Sequence, residues 1–578
     1  MIILGLSGAL GHDPSAALLV DGEIAAAAEE ERFVREKHAQ NRMPREAARY
    51  CLEEAGVAAT QIDAVAFPYA PISIFSPARW HYAKRHWYAP DRALDAIVNG
   101  NRRYRRNRAR VTALGKTLGI DWSRTAFEPV EHHLAHASSA YHLSGFDGKT
   151  AVLGVDGKGE YATTFFGVGE AGGITRIHEF YDPDSLSGVY GALTEYLGFE
   201  MLDGEYKLMG MAPYGDPSRF DFAPLLGCTD GDVRVDSRMV NTVGLRRYRD
   251  GGRGRYFGAG LVRRLGPPRH GDAADEPYVH HAAAMQQAYE DACLELIEVY
   301  LGDVLAATGR LVFAGGGALN VKLNKRILER DDVDELFVQP AAGDAGTGLG
   351  AATHVASRLG DVVRPMTHVY LGPGFSSREC REALASHPGL SAQELDDVPA
   401  CAADILAAGH PLAWFQGRME FGPRALGARS ILGCPSIPGI AARINAEIKY
   451  RERWRPFCPS LTDTVATDIL GTSHPAPFMT IAFDVAERWQ SRIPEVVHVD
   501  GTARAQVVTR DVNPRYYALL ERIGELTGTP VLLNTSLNRR GEPIACTPTD
   551  ALGIFVGSDL GYLVMEDLLI TKQGVPNA

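Results

Sequence analysis

One arrangement occurs twice within the first 180 residues of this 578-residue chain. Residues 1–8 read as a strand, followed by the turn Gly8-Ala9-Leu10-Gly11-His12-Asp13-Pro14. Residues 16–20 and 23–28 read as a hairpin across Asp21-Gly22, a dipeptide that tolerates positive φ in a tight turn. A helix over 44–55, opened by Pro44, and a strand over 64–67 follow. The plan returns with a strand at 151–155, a turn at 156–160, a strand at 163–168, a second turn at 169–173 and a third strand at 174–180. In both cases strand, turn and hairpin open the unit, and the first turn carries polar groups where a phosphate could lie. An internal duplication, two like halves facing across a cleft, is the expectation. The alternative is a pair of coincidental three-stranded meanders.

The chain is too long for one core and long enough for two or three domains. It has no apolar run of about 18 residues. The start, Met1 to Leu6, is apolar without a basic preceding region, so neither a signal peptide nor a membrane span is expected. The net charge of −12 disfavours a general polyanion binder, nucleic acid included. Eight scattered cysteines with no Cys-x-x-Cys pair fit reduced thiols in a cytoplasmic protein and core packing.

The strongest local signal is His132-His133-Leu134-Ala135-His136. On a helix, His132 and His136 stand one above the other, able to close on one cation, and the small residues Ala137-Ser138-Ser139-Ala140 allow close packing behind them. Asp156 ends an apolar run in Asp156-Gly157-Lys158-Gly159-Glu160, and Asp344 sits in the glycine-rich Gly343-Asp344-Ala345-Gly346. Two imidazoles with one or two carboxylates suit Fe(II), Mn(II) or Zn(II). Packed or capping histidines are the plain alternative. The zinc-protease pattern is absent, because Glu131 precedes the first histidine.

A basic, aromatic stretch spans 79–110 and includes Arg102-Arg103-Tyr104-Arg105-Arg106. It reads as the solvated face of a helical excursion, or as a surface for an anionic acceptor or nucleic acid. Residues 230–280, with Gly251-Gly252-Arg253-Gly254-Arg255, read as an irregular insertion. A helix over 282–307 leads into a buried strand at 310–314, then Gly315-Gly316-Gly317-Ala318-Leu319-Asn320, opening a helix over 321–329. Such a turn either aims backbone N–H groups at a nucleotide or simply makes a tight strand–helix connection. Gly343 to Gly348 repeats the device.

Composition shifts near Arg364-Pro365 and Leu371-Gly372-Pro373-Gly374, which places a domain boundary there: 1–365 and 375–578. The second part alternates helices (400–408, 513–527) with strands (411–415, 530–533). It sets cations among Gly, Pro and Phe: Gly417-Arg418-Met419-Glu420-Phe421-Gly422-Pro423-Arg424, the run Lys449 to Phe457 with Arg455, then Arg504, and Asn534-Thr535-Ser536-Leu537-Asn538. Guanidinium forks beside hydroxyl and amide groups suit a small phosphorylated substrate. Surface ion pairing is the alternative, weakest for Arg424, Arg455 and Arg504.

Taken together these stretches resemble the bacterial O-carbamoyltransferases of the NodU/CmcH type. The resemblance is carried by Gly11 to Ala17, Ala28 to Phe33, His132 to His136, Asp156 to Glu160, Tyr206-Lys207-Leu208-Met209-Gly210-Met211-Ala212-Pro213-Tyr214-Gly215, the glycine turns at 315 and 343, Gly417 to Gly427, Arg455-Pro456-Phe457 and Asn534 to Asn538, nearly the whole chain. It implies an α/β protein: a duplicated N-terminal domain of the actin, sugar-kinase and heat-shock-ATPase fold, similar to the TsaD proteins of tRNA threonylcarbamoyl transfer, and a C-terminal α/β domain similar to YrdC. It implies that the second domain makes carbamoyl-adenylate from carbamoyl phosphate and ATP, with Mg2+, and that the first passes the carbamoyl group to an acceptor hydroxyl, releasing AMP. The implied metal is iron, Fe(II) or another divalent transition metal, on His132, His136, Asp156 and Asp344. The implied carbamoyl phosphate contacts are Arg424, Lys449, Arg455, Arg504, Asn534 and Ser536. The nucleotide falls to Gly157, Gly159, Lys207, Gly315, Gly316, Gly317 and Asn320.

Catalytic roles are expected for His12, Arg418 and Arg455. His12 is the candidate base for the acceptor hydroxyl, Lys37 and His38 being weaker candidates. The partners expected are ATP, carbamoyl phosphate and a small hydroxyl-bearing acceptor (natural-product or sugar-like), with no membrane and with room for a homodimer. Three rivals share parts of this pattern: a non-catalytic nucleotide sensor, an enzyme carbamoylating an RNA substituent, and a sugar kinase, which has no use for residues 375–578. The stretch 79–110 and the insertion 230–280 match no family motif, and acceptor choice is expected to be written there.

Overall fold

The computed structural model describes residues 1–240, 256–271, 274–452 and 454–572; the run Gly251 to Arg255 lies outside them. The chain forms two compact units, Met1–Ala25 with Asn41–Pro365, and Ala26–Gln40 with Met366–Ala578. The sequence boundary at 365 did not anticipate that residues 26–40 belong with the second unit.

The first unit is built on two five-stranded sheets of one design. In the first sheet, Ile2–Leu6 pairs antiparallel with Ser15–Val20, Ile2 opposite Val20, and Glu23–Glu29 lies beyond. On its other side come Ala64–Phe67 and then Ala126–Pro129, both parallel. In the second sheet, Thr150–Val155 pairs antiparallel with Ala162–Glu170, which pairs with Gly173–Tyr181. Arg310–Ala314 and Glu335–Val338 complete it in parallel. Counted along the chain, the strand order in both sheets is third, second, first, fourth, fifth. This is the duplicated α/β plan of actin, the sugar kinases and the heat-shock ATPases. The central strands read as unbroken apolar runs because they are covered on both faces, as Ile3, Leu4, Leu18, Val152, Leu153 and Val312 are.

Two helices, His132–Tyr141 and Thr347–Arg358, pack against each other. The small-residue run makes this possible: a Cβ on Gly350 would stand 1.9 Å from the Ala135 carbonyl oxygen. The stretch 79–110 falls on three helices, Pro77–Arg85, Pro90–Asn99 and Arg102–Leu118. The long helix expected at 282–307 runs Tyr278–Thr308. One local expectation changes: the three glycines do not open the next helix. They lead into a short turn, Gly316–Leu319, and Asn320 caps Val321–Leu328 by accepting the Leu323 N–H.

The second unit is an eight-stranded mixed sheet in the order Leu390–Glu394, Leu568–Lys572, Tyr562–Met565, Leu412–Phe415, Arg429–Gly433, Val531–Ser536, Cys458–Thr462, Gln506–Val508. The helices Val398–Ala407 and Pro514–Thr527 pack together over a core that includes the fully buried Trp414. Residues 26–40 belong to this unit for a stated reason. Buried Glu29 accepts the Gly422 N–H (2.8 Å), Arg32 donates to the Gly422 carbonyl (3.0 Å), and Arg35 donates to the carbonyls of Pro543 (2.8 Å) and Ile544 (2.6 Å). Among the described residues no helix is long and apolar enough to cross a membrane.

Candidate metal centre and anion-binding cluster

In the first unit, four buried side chains from three separate elements converge. His132 and His136 come from one helix, Asp156 from the end of Thr150–Val155, and Asp344 from the turn Asp344–Gly346. Their ligand atoms lie within 4.8 Å of one another. The two histidine Nε2 atoms are 3.2 Å apart. Asp344 Oδ1 is 3.4 Å from His132 Nε2 and 3.6 Å from His136 Nε2; Asp156 Oδ2 is 3.7 and 4.0 Å from the same atoms. Ligands about 2.1 Å from a first-row cation stand about 3.0–3.5 Å apart when cis or tetrahedral, so this N2O2 set fits one after a contraction of a few tenths of an ångström.

The surroundings orient these groups. His132 Nδ1 lies 3.4 Å from the Pro68 carbonyl, which turns Nε2 inward. Asp156 Oδ1 accepts the Gly316 N–H at 2.9 Å, leaving Oδ2 for the centre. The glycine turn therefore buttresses a ligand. Gly315 has φ +96°, and a Cβ there would meet the Val155 carbonyl oxygen at 2.3 Å. Glu160 accepts the N–H groups of His132 (3.2 Å) and Ala70 (2.7 Å), tying the ligand helix to the end of Ala64–Phe67.

Charge follows the same logic. Burial opposes protonation of His132, but Asp344 and Asp156 outweigh it and hold its pKa well above the usual range. Burial likewise opposes ionisation of Asp344, yet His132 and His12 hold its carboxyl well below the usual range. His133 faces the reverse balance: burial and the His132 charge push it down to about 3. The motif thus separates into two inward imidazoles and one neutral neighbour. His12 Nδ1 lies 3.7 Å from Asp344 Oδ2 and 3.0 Å from Asp13 Oδ2. Burial opposes its charge, but Asp344 and Asp13 raise it to about 9.

The residues expected for the nucleotide all lie in the first unit. The Gly157 carbonyl accepts from the Ser185 hydroxyl (2.8 Å), and Gly159 packs against His132 and His133. Asn320 exchanges hydrogen bonds with Gln286 (2.9 and 3.1 Å). Gly317 lies against Val155 and the Tyr289 hydroxyl. Lys207 stands over the Phe199 ring at 5.5 Å, on Glu205–Met211, a helix packed on Tyr278–Thr308.

In the second unit a different polar cluster forms around the C-terminal end of Val531–Ser536. Lys449, buried, donates to the Ser536 carbonyl, the Ser536 hydroxyl (3.2 Å), and the Asn538 carbonyl (3.0 Å) and Oδ1 (2.8 Å). Burial, reinforced by Arg451 and Arg455, pulls its pKa well below the usual lysine range. Arg504 donates twice to the Cys458 sulfur, at 3.2 and 3.0 Å, and Cys458 lies opposite Asn534 in the sheet. Asn534 itself bonds Ser460 (3.0 Å) and Gln506 (3.2 Å). Arg455 lies 3.4 Å from Glu452. Arg424 is half-buried, two residues before Leu426. Arg418 donates to the carbonyls of Leu371 (2.5 Å) and Gly372 (3.2 Å). Lys37 and His38 fall in this unit, on the turn Lys37–Ala39.

Sequence reasoning passed over several participants. Cys458 and Asn538 hold Arg504 and Lys449, and Asn538 stands inside a quoted motif. Glu420 accepts the N–H groups of Leu426 and Ala428 (both 2.7 Å), shaping the loop that carries Arg424. Pro68, through its backbone carbonyl, and Glu160, through a carboxylate that accepts backbone N–H groups, frame the helix of His132 and His136, a role no spacing rule reveals because each contact involves the backbone of a residue distant in sequence.

The chain is thus a two-part α/β protein, a duplicated unit with a metal-capable quartet and a second unit with a buried cluster of basic groups. The family models for the carbamoyltransferase N-terminus and C-terminus match residues 2–353 and 403–572, and the chain belongs to the carbamoyltransferase family. It is 36% identical over 600 residues to nodulation protein NolNO of Sinorhizobium fredii, covering 99% of this chain and 83% of that one. It is 38% identical over 465 residues to nodulation protein NolO of Bradyrhizobium diazoefficiens, covering 77% and 79%. A Synechocystis protein, sll1178, is 36% identical over 622 residues, covering 99% and 97%.

Proposed function

We propose that the chain makes carbamoyl-adenylate from carbamoyl phosphate and ATP, and then transfers the carbamoyl group to a hydroxyl of a small acceptor, releasing AMP. The observation that carries the first step is Lys449. It is buried and crowded by arginines, and among the described residues no carboxylate stands within ion-pair distance of it. A bound dianion would restore its charge and gain strong charge-assisted hydrogen bonds. With Lys449, Arg455, Arg504 and Ser536 would bind the phosphate oxygens of carbamoyl phosphate. Hydrolysis there, consuming one water, releases phosphate and leaves carbamate. A carbamate oxygen attacks the α-phosphorus of ATP and expels pyrophosphate.

The second step belongs to the first unit. His132, His136, Asp156 and Asp344 would hold a divalent transition-metal cation, Fe(II) by family resemblance, which supplies Lewis-acid stabilisation of phosphate and carbonyl oxygens. The acceptor oxygen bonds to the carbamoyl carbon as the bond to AMP breaks. His12 would hold the acceptor proton when it starts as the neutral imidazole, the minor form at neutral pH because Asp344 and Asp13 raise its pKa to about 9.

The test is pyrophosphate release from ATP, without acceptor, in the presence and absence of carbamoyl phosphate. Release strictly dependent on carbamoyl phosphate, lost about 100-fold or more in Lys449→Met, is the expected result. ATP binding with no pyrophosphate in either condition, acceptor present or absent, would favour a nucleotide sensor and refute the reading.

A further inference from the structure

Among the described residues, 17 large hydrophobic side chains are exposed, and seven of them fall within the 25 residues from Ile74 to Val98. These residues form a hairpin of two packed helices, Pro77–Arg85 and Pro90–Asn99. On the first helix Ala78, Arg79, Tyr82 and Ala83 are buried, while Trp80 and Lys84 are exposed; Trp87 follows in the exposed turn. On the second, Ala96 is buried, while Leu94 and Val98, one turn apart, are exposed with Asp91 and Asp95. Exposure runs from 39% at Tyr88 to 84% at Phe75. Phe75, Trp80, Trp87, Tyr88, Leu94 and Val98 together leave roughly 800 Å2 in water, which is about what one partner contributes to a stable protein–protein interface. A monomer surface rarely carries so large an apolar patch.

The hairpin is a fixed platform. Its two ends are clamped, the Ile72 N–H donating to Asn101 Oδ1 (2.9 Å) and Asn101 Nδ2 to the Ile72 carbonyl (3.0 Å). Buried Arg79 ties the helices together, donating to the carbonyls of Ile72 (2.6 Å) and Ile97 (3.2 Å). His81 Nε2 and an Arg85 Nη each lie 2.7 Å from the buried carboxylate of Asp184. Trp80 Nε1 donates to the Ile74 carbonyl (3.1 Å), which lays the indole beside Ile74 and Phe75. Charge then selects the partner. Arg79 and Arg85 are turned inward, and the other charged residues of the two helices are Lys84 and Arg92 with Asp91 and Asp95, two of each sign. Such a face has no preference for a polyanion or an anionic lipid surface. It is complementary to itself, because a two-fold axis brings the acids of one copy to the cations of the other.

We propose that this hairpin is the interface of a homodimer, in which Phe75, Trp80, Trp87, Leu94 and Val98 pack against the same residues of a second copy about a two-fold axis. The aromatic side chains supply the buried centre, and Lys84, Arg92, Asp91 and Asp95 supply a rim that fixes the register of the two copies.

Sedimentation equilibrium of the full chain tests this. The wild type is expected at twice 62.6 kDa. Trp87→Asp with Leu94→Asp should raise the dissociation constant about 100-fold or more while the melting temperature of the monomer is retained. Val362→Asp, at a site equally exposed but distant in the chain from the hairpin, should leave the dimer intact. Charge reversal sharpens the test. Lys84→Glu with Arg92→Glu, and separately Asp91→Lys with Asp95→Lys, should each weaken self-association about tenfold, and an equimolar mixture of the two variants should recover it. A wild type that stays monomeric up to about 100 μM, far above the dissociation constants of stable interfaces, overturns the proposal. So does a dimer that persists in Trp87→Asp with Leu94→Asp, or a mixture that recovers nothing, since either places the contact elsewhere or breaks the two-fold symmetry. A monomer that sediments with vesicles of phosphatidylcholine and phosphatidylglycerol would also overturn it and assign the face to a lipid surface.

Discussion

The two polar clusters are both buried, yet they are held together by opposite means. In the first unit His132, His136, Asp156 and Asp344 are mutual partners: imidazoles face carboxylates at 3.4–4.0 Å. In the second, Lys449 and Arg504 are basic groups held by neutral acceptors, the oxygens of Ser536 and Asn538 and the sulfur of Cys458. The first cluster is balanced by charges within it. In the second, neutral groups hold Lys449 and Arg504, and only Arg455 has a carboxylate beside it, Glu452 at 3.4 Å. On the reading proposed above, the first would hold a resident metal and the second a substrate that it must release.

The largest effect should come from breaking the first cluster alone. His136→Ala removes one of four ligands and leaves Asp344 with a weaker partner. Metal content after reconstitution with Fe(II) should fall about 10–100-fold, and acceptor-dependent AMP release about 1,000-fold, while pyrophosphate release without acceptor stays at the wild-type rate. Metal analysis beside the two assays checks it. A parallel fall in pyrophosphate release would show that the clusters are not functionally separate.

A second test asks which buried cations are structural. Arg429 is fully buried, lies 3.6 Å over the Phe415 ring and donates to the carbonyls of Pro373, Gln416, Gly417 and Ala428 at 2.8–3.1 Å. Arg429→Met leaves those oxygens unpaired and should cost about 3 kcal/mol. Lys449→Met removes a cation that folding has to desolvate and should leave stability unchanged or raised by about 1 kcal/mol, although activity is lost. Urea denaturation of both variants decides this. Equal destabilisation would mean that Lys449 is as structural as Arg429.

The same contrast explains what the sequence made legible. The convergence of the metal-capable quartet was partly readable, because helical spacing pairs His132 with His136, while Asp156 and Asp344 were marked as glycine-flanked acids and joined to the set by the family resemblance. The duplication was visible because strand, turn and hairpin are local. The cation cluster was readable only as composition. An arginine among glycines can grip an anion or grip carbonyl oxygens, and Arg418 and Arg429 do the latter. Which outcome holds depends on distant backbone, Leu371 and Pro373 here, that no local pattern encodes. The placement of residues 26–40 was hidden for the same reason: the partners of Glu29, Arg32 and Arg35 lie about 400–500 positions away.

The finest test concerns the sulfur that holds Arg504. Cys458 is buried directly opposite Asn534, and its Sγ accepts from both Nε and an Nη of the guanidinium. Sulfur is a weak acceptor, so it orients the fork without competing strongly with a substrate oxygen. Cys458→Ala should free the guanidinium to reorient, raising the KM for carbamoyl phosphate about 3–10-fold with kcat for pyrophosphate release little changed. Cys458→Ser places a stronger and shorter acceptor there. It should restore the orientation but tighten the hold on Arg504, giving a KM between the alanine variant and the wild type. A fall in kcat alone, with KM constant in both variants, would mean that Arg504 acts on the transition state and that its ground-state orientation is set elsewhere.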